Sequence, residues 1–249
     1  MPHRPYFKLT AAAALTLGVG LASTVLLFGT VARLEFEQGA LAFQQRVDVR
    51  VAAIRQGLDQ AVEVATATND LFATVDPVTR HQFHDFTVPL LKRYPFITAF
   101  NFHRRVAHED RARFEAGLQQ LVPGTVIMEN NGGVRSVAPK RSSYVIVDFL
   151  EPMKGNEAGF GLNVEPYTDV MDAVDEAVRT ARPASTPLIS LAQDKQPLRA
   201  FEIILPVYKH GMPLDTAEQR RTAMLGDTAA IVRPDRLVDS ILDDSALLT

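Results

Sequence analysis

The residues in this chain with an obvious capacity for chemistry are its clustered histidines. His81-x-x-His84-Asp85 sets two imidazoles and a carboxylate on one helix face, and His103 and His108 lie nearby in sequence. A zinc site needs three or four converging ligands. No second pair has ligand spacing, so the cluster reads as a solvated helix face and no metal is expected. Acyl transfer needs a serine on a strained turn or beside a general base. Ser142, Ser143, Ser185 and Ser190 lack a Gly-x-Ser-x-Gly setting and read as polar content of loops and strands. Among the carboxylate pairs, Glu109-Asp110 suits the first turn of a helix, where negative charge complements the macrodipole. Asp243-Asp244 and Glu35/Glu37 read as solvated faces. Glycoside hydrolysis requires two carboxyls at a defined separation, which sequence spacing does not set. No catalytic residue and no cofactor is expected.

The stretch FLEPMKGNEAGFGLN, Phe149 to Asn163, has the glycine content of a phosphate loop. Such a loop places its glycines between a strand and a helix N-terminus, whereas here they precede and enter a strand. Ser143 to Leu150 is β-branched and aromatic, Glu151-Pro152 ends it, and Gly155-Asn156 is turn material. The return strand is predicted over Ala158 to Val164, with Gly159 and Gly161 leaving room on one face of the sheet. Asp148 shares a face with Tyr144 and Ile146 in an otherwise apolar strand. It is either an edge residue in water or a polar anchor in a pocket.

The elements that must position these residues begin at a membrane. Leu9 to Ala32 is 24 uncharged residues, about 36 Å as helix against a hydrocarbon core of about 30 Å. Arg4 and Lys8 precede it, and Arg33 is followed at once by Glu35 and Glu37. This bias puts the N-terminus in the cytoplasm and the remainder outside the inner, or cell, membrane. A cleaved signal peptide is the competing reading. The 249 residues are 47% hydrophobic and 22% charged, a globular composition with a formal net charge of −3 and no basic block, so nucleic acid is not an expected partner. There are no cysteines, which excludes disulfides and thiolate chemistry.

Beyond the span, Val47, Val51, Ile54, Leu58, Ala61, Ala65, Thr68 and Phe72 follow alternating steps of four and three, an a/d seam. The seam packs either on the chain's own globular part or on a partner helix in a dimer. Asp76-Pro77 is expected to cap a second helix running to about Arg93. Strands are predicted at Ile97 to His103, Thr125 to Glu129, Leu188 to Leu191, Phe201 to Tyr208 and Ala229 to Arg233, with a turn at Asp194 to Pro197. Helical spacing marks His108 to Leu121, a segment after Glu165-Pro166 with Val170, Val174, Ala177 and Val178 inward, a short helix from Thr216, and a helix from Asp235 with Leu237, Val238, Ile241 and Leu242 inward. Hairpin-linked strands with helices between them indicate an α+β fold with an antiparallel sheet.

The succession Tyr94-Pro95-x-Ile97, Arg105-Val106, RARFE at Arg111 to Glu115, Tyr144 leading to Leu150-Glu151-Pro152, Asn156, Gly159-Phe160-Gly161-Leu162 and Leu205-Pro206-Val207-Tyr208 is similar to the CHASE domain. That family is the extracytoplasmic sensor of bacterial histidine kinases, nucleotide cyclases and cyclic-di-GMP enzymes and of plant cytokinin receptors. The resemblance implies a cytoplasmic tail (1–8), a transmembrane helix (9–32), a stalk helix (33–75), a membrane-distal PAS-like sensory domain (76–212) and the start of a membrane-proximal PAS-like domain (213–249). It implies a small-molecule ligand, a homodimer through the stalk residues Val47, Val51, Ile54, Leu58 and Phe72, and a cytoplasmic output domain absent from this chain, which would then be part of a longer receptor or a truncated product. The ligand pocket it implies is lined by Tyr144, Ile146, Asp148, Phe160, Leu162, Ser185, Thr186, Phe201, Ile203 and Leu205. The plant receptors carry an acidic residue just before the tyrosine where this chain has Ser142-Ser143, a departure at the cytokinin-recognising position. An anchored hydrolase and a partner-binding module are the alternatives. A mostly apolar cavity with a few polar groups favours the sensor, convergent histidines or carboxylates around a water position favour the hydrolase, and a filled sheet core favours the module.

Overall fold

The computed structural model describes residues 11–131, 133–190 and 199–242. The predicted turn at Asp194 to Pro197 and the cytoplasmic tail lie outside them, as do the side chains of Ile241 and Leu242. The chain divides into two units, Met1–Ala52 and Ala53–Thr249.

In the first unit the described residues all belong to helix α1 (Ala11–Thr74). Among the described residues it is the helix long and apolar enough to cross a membrane. Within this unit its leucines, valines and Phe28 stand exposed, which fits a helix surrounded by lipid.

The second unit is built on an antiparallel sheet whose strands run in the order β4-β1-β8-β7-β5, with β6 paired to β7. The strands are β1 (Ile97–Ala107), β4 (Ser143–Glu151), β5 (Ala184–Ser185), β6 (Ile189–Ser190), β7 (Arg199–Tyr208) and β8 (Met224–Val232), while β2 (Met128–Asn131) and β3 (Val134–Val137) form a separate ribbon. Successive strand residues point to opposite faces, and each face buries its own core. One carries Phe100, Phe102, Phe149, Ile203, Leu205 and Val207 beneath Ala61, Val64, Ala65 and Phe72 of α1 and Phe83 of α2 (Arg80–Arg93). The other carries Ala99, Val145, Val147, Ile204 and Ile231 beneath α4 (Thr168–Thr180), which presents Val170, Ala173, Val174 and Val178. Helices α3 (Arg111–Leu121), α5 (Ala217–Ala223) and α6 (Pro234–Leu242) complete the unit.

Four expectations are corrected here. The cap of α2 is Thr79 rather than Asp76: its hydroxyl accepts from Gln82 N at 3.2 Å and the Gln82 side chain accepts from Thr79 N at 2.9 Å, a reciprocal capping box. The boundary at residue 213 does not begin a second sheet, because β8 is paired on both sides, with β1 and with β7, at the centre of the first one. Phe72 leaves the proposed dimer seam. It is buried and stacks on Phe102 with ring centroids 4.5 Å apart, so the stripe from Ala61 to Phe72 is spent on the chain's own sheet while Val47, Val51 and Leu58 remain exposed. The predicted return strand over Ala158 to Val164 is a short 3₁₀ turn, Glu157–Gly159, followed by an irregular run held to β4 by Gly161 N to Val147 O (3.0 Å), Val147 N to Leu162 O (2.9 Å) and Val164 N to Val145 O (2.7 Å).

Gly161 shows why that run is irregular. Its φ of +74° is one that L side chains rarely adopt, and a Cβ there would lie 3.1 Å from Thr125 Cγ2 and 3.4 Å from Val126 O. The glycine serves a tight backbone crossing, not the empty space expected of it.

Candidate functional site

A cavity of about 650 Å³ opens between the α4 face of the sheet and the segments that cover it, within the range of small-molecule sites. Its floor is sheet: Ala99, Asn101 and His103 of β1, Val147 and Leu150 of β4, Ile231 of β8 and Glu202 of β7. Leu162, Val164 and Gly159 form one wall, Tyr167 to Val170 at the start of α4 another, and Leu188, Ile189 and Ser190 a third. The space exists because Ala99 and its same-face neighbour Ala229 are small and because α4 bears on the far part of the sheet through Val174 and Val178.

The polar groups on that floor are buried. His103 Nδ1 lies 2.8 Å from Asp227 Oδ2, and both side chains are excluded from solvent. Burial opposes charge on His103, but the charge and hydrogen bond of Asp227, with Glu202 beyond, outweigh it and raise the imidazole pKa. Burial pushes the Glu202 carboxyl up, Asp227 adds to this, and His103 opposes it. Its backbone is fixed by Thr186, whose Oγ1 accepts from Glu202 N at 3.0 Å. Asn101 Oδ1, Glu202 Oε2 and Asp227 Oδ1 are buried without a hydrogen-bond partner among the described residues. Buried polar atoms are nearly always paired, so open acceptors grouped beside a cavity stand out from the rest of the interior.

The imidazole's Nδ1 is committed to Asp227, and no serine stands within the described hydrogen bonds of His103. His81 and His84, the metal candidates, pair separately with Asp85 (3.3 Å) and Glu151 (3.0 Å) on the surface.

Compared with known families, residues 76–248 match the model of the CHASE domain, more than two thirds of the chain. The chain belongs to the CHASE domain family. CHASE domains are extracytoplasmic sensors of signalling receptors and are not catalytic. A comparison with curated proteins finds no match. The CHASE match runs through β8 and α6, in keeping with one continuous sheet.

Of the residues that sequence reasoning assigned to the CHASE pocket, Leu162 lines the cavity and Thr186 braces Glu202 from behind. The others lie elsewhere. Phe201, Ile203 and Leu205 are on the opposite face, packed with the α1 side of the sheet. Their neighbours Ala200, Glu202 and Ile204 face the cavity side, a one-residue difference that exchanges the two faces of a strand. Phe160 is buried in the core rather than on the cavity wall, and Ser185 is exposed on β5.

Tyr144 and Ile146 are fully buried in a third cluster with Val106, Ile127 and Ala138. The tyrosine hydroxyl is a junction: it donates to Pro139 O (3.2 Å) and accepts from Arg111 Nη1 and Arg141 N (3.1 Å each), with His108 Nδ1 at 3.1 Å. Asp148 is buried rather than an edge residue in water, and it lines a different cavity, of about 510 Å³, beside Arg80, Arg104 and Leu118. In the β1–β4 ladder Phe102 pairs with Phe149 and His103 with Val147, so Asp148 is the extra residue of a bulge, which re-aims its side chain. It is clasped there by Arg80 and Arg104.

Asn101, Glu202 and Asp227 escaped the sequence reading, and His103 entered it only as a neighbour of the His81/His84 cluster. A trace was present in β7, where Glu202 sits on one face between Ala200 and Ile204: a carboxylate flanked by apolar same-face neighbours is a buried one.

Proposed function

We propose that this CHASE protein is the sensor region of an inner-membrane receptor, with its N-terminus cytoplasmic and residues 53–242 outside, that binds a small molecule in the cavity against the α4 face of its sheet. The observation that carries this reading is the cavity itself: about 650 Å³, walled by Leu150, Leu162, Val164 and Ile231, with unpaired Asn101 and Glu202 acceptors on the floor. A filled sheet would have favoured a structural module instead. The strand order, with β1 and the late strand β8 side by side at the centre, supports the reading of a PAS-like sensor sheet.

Binding of the small molecule would shift the packing of the sheet against the Ala61–Phe72 stripe of α1. Asn69 is the natural relay, since its side-chain amide donates to Leu205 O (3.2 Å), Pro206 O (3.3 Å) and Thr228 Oγ1 (3.0 Å). A ligand favouring one packing by about 1–3 kcal/mol changes a two-state equilibrium several-fold or more. The exposed Val47, Val51 and Leu58, with half-buried Ile54, would form the homodimer seam, and a cytoplasmic output domain would read it.

Thermal-shift screening of the detergent-solubilised chain against purines, amino acids and small carboxylates tests the site. A hit should lose its shift in Ala99→Leu, which fills the cavity floor, and keep it in Tyr144→Phe, which lies outside. A hit indifferent to Ala99→Leu would refute the cavity. The dimer is tested separately: the chain has no cysteine, so Val51→Cys should cross-link in membranes and Phe72→Cys, buried against Phe102, should not. Equal cross-linking at both would overturn the seam.

A further inference from the structure

The chemistry of the occupant is constrained by what its floor lacks. Asn101 and Glu202 are each more than nine-tenths buried, at 9% and 7% exposure, both line the cavity, and both hold an oxygen without a donor among the described residues. Ala99 and Glu202 each pair with Ile231 from opposite sides. Asn101 lies two residues along β1 from Ala99, opposite Ala229, so the backbones carrying the two open acceptors stand two strand spacings across and two residues along, ~12 Å apart, and their side chains reach toward each other over the cavity floor that both line. His103 does not fill the gap, because its Nδ1 is held 2.8 Å from Asp227.

The charges around Glu202 come from every packed element. His103 faces it from β1 and Asp227 from β8, while Tyr167 and Asp169 at the start of α4 complete the titratable groups of the cavity region. No lysine or arginine lines the cavity among the described residues. An anion would meet the Glu202 and Asp169 carboxyl groups and open acceptor oxygens, with the His103 imidazole, already paired through Nδ1 with Asp227, as its charge-compatible partner among the described lining residues, whereas a donor-bearing cation meets several complementary acceptors. The apolar walls suit a ring or hydrocarbon frame.

Resting on the reading that the cavity is the ligand site, we propose that its occupant is a small organic cation, an amine or amidine on an apolar frame, whose N–H groups bind Glu202 Oε2 with Asn101 Oδ1 as the second acceptor. In the empty cavity, burial favours the carboxylic acid form of Glu202. A bound cation opposes that effect and favours the carboxylate, so binding strengthens as pH rises and releases a proton wherever the empty site holds one.

Benzamidine, benzyl alcohol and benzoate share a ring and differ in charge. Calorimetric titration of each into the detergent-solubilised chain, in two buffers of different ionisation heat, reads affinity and proton release together. Benzamidine should bind with proton release and benzoate should not bind. Glu202→Gln, isosteric and folded as judged by its melting temperature, should weaken benzamidine about 10- to 100-fold and abolish the proton release; Asn101→Ala should weaken it several-fold. If benzyl alcohol or benzoate binds as well as benzamidine, and Ala99→Leu blocks it, the cation is wrong and the cavity stands. If none of the three binds, or binding survives Ala99→Leu, the cavity reading falls and the proposal with it.

Discussion

The Tyr144 junction and the Glu202 floor are both buried polar clusters on the same sheet, and they are built on opposite terms. Around Tyr144 most polar groups meet partners: its hydroxyl takes Arg141 N, Arg111 and Pro139 O, and nearby Glu129 receives Arg141 at 2.9 and 3.2 Å and Asn163 Nδ2 at 2.9 Å, with Glu165 Oε2, 4.0 Å from Arg141, the oxygen left without a hydrogen bond among the described residues. Around Glu202, acceptors on Asn101, Glu202 and Asp227 are left over. Leaving a buried acceptor open costs about 1–3 kcal/mol. A cluster that spends its hydrogen bonds internally stabilises the fold, while one that withholds them destabilises the empty protein and is completed by what binds.

The largest test of that contrast is Tyr144→Phe. It keeps the ring and deletes the hydroxyl, stranding Arg141 N and Pro139 O in a cluster where Tyr144 is wholly buried. A loss of about 2–3 kcal/mol is expected, a fall in Tm of about 5–10 °C for a domain of this size, read by thermal denaturation. Unchanged stability would mean that the junction is not the scaffold element inferred here.

The same contrast explains what could be read from the sequence. The long apolar N-terminal helix, the alternation of strands and helices, the stripe on α4 and the family were legible, since each rests on composition or on a period that survives folding. The face assignments were not. Period-2 patterning says that Phe201, Ile203 and Leu205 share a face with one another but not which layer covers it, and in a sheet buried on both faces hydrophobicity marks neither side as the cavity. The bulge at Asp148 was equally hidden, because the extra residue is defined by its partner strand β1, more than 40 positions away. Phe72 continued the heptad pattern of the stalk faithfully, yet its burial against Phe102 is set by tertiary contact that the pattern does not encode.

A smaller effect sharpens the comparison, because two glutamates in the two clusters shift in opposite directions. The hydrogen bond from Arg141, with that of Asn163, holds the Glu129 carboxyl below its ordinary range against the effect of burial, whereas burial raises Glu202. A lowered folded-state pKa gives stability that is present above the unfolded value, near 4.5, and is lost as pH falls through the folded one. A raised pKa gives stability that is full below that value and is lost as pH rises through the folded one. His103, also raised, adds a second loss that sets in above about 6.5. At pH 7, Glu129→Gln should therefore destabilise the chain. Glu202→Gln should stabilise it, by on the order of 1 kcal/mol or about 2–4 °C in Tm, and should flatten the decline above pH 4.5 while leaving the His103 component. Melting temperatures of the two variants and the parent between pH 4 and 8 give both slopes. If the variants move in the same direction, the two clusters are not electrostatic opposites, and the open acceptors around Glu202 lose their standing as a site held in readiness.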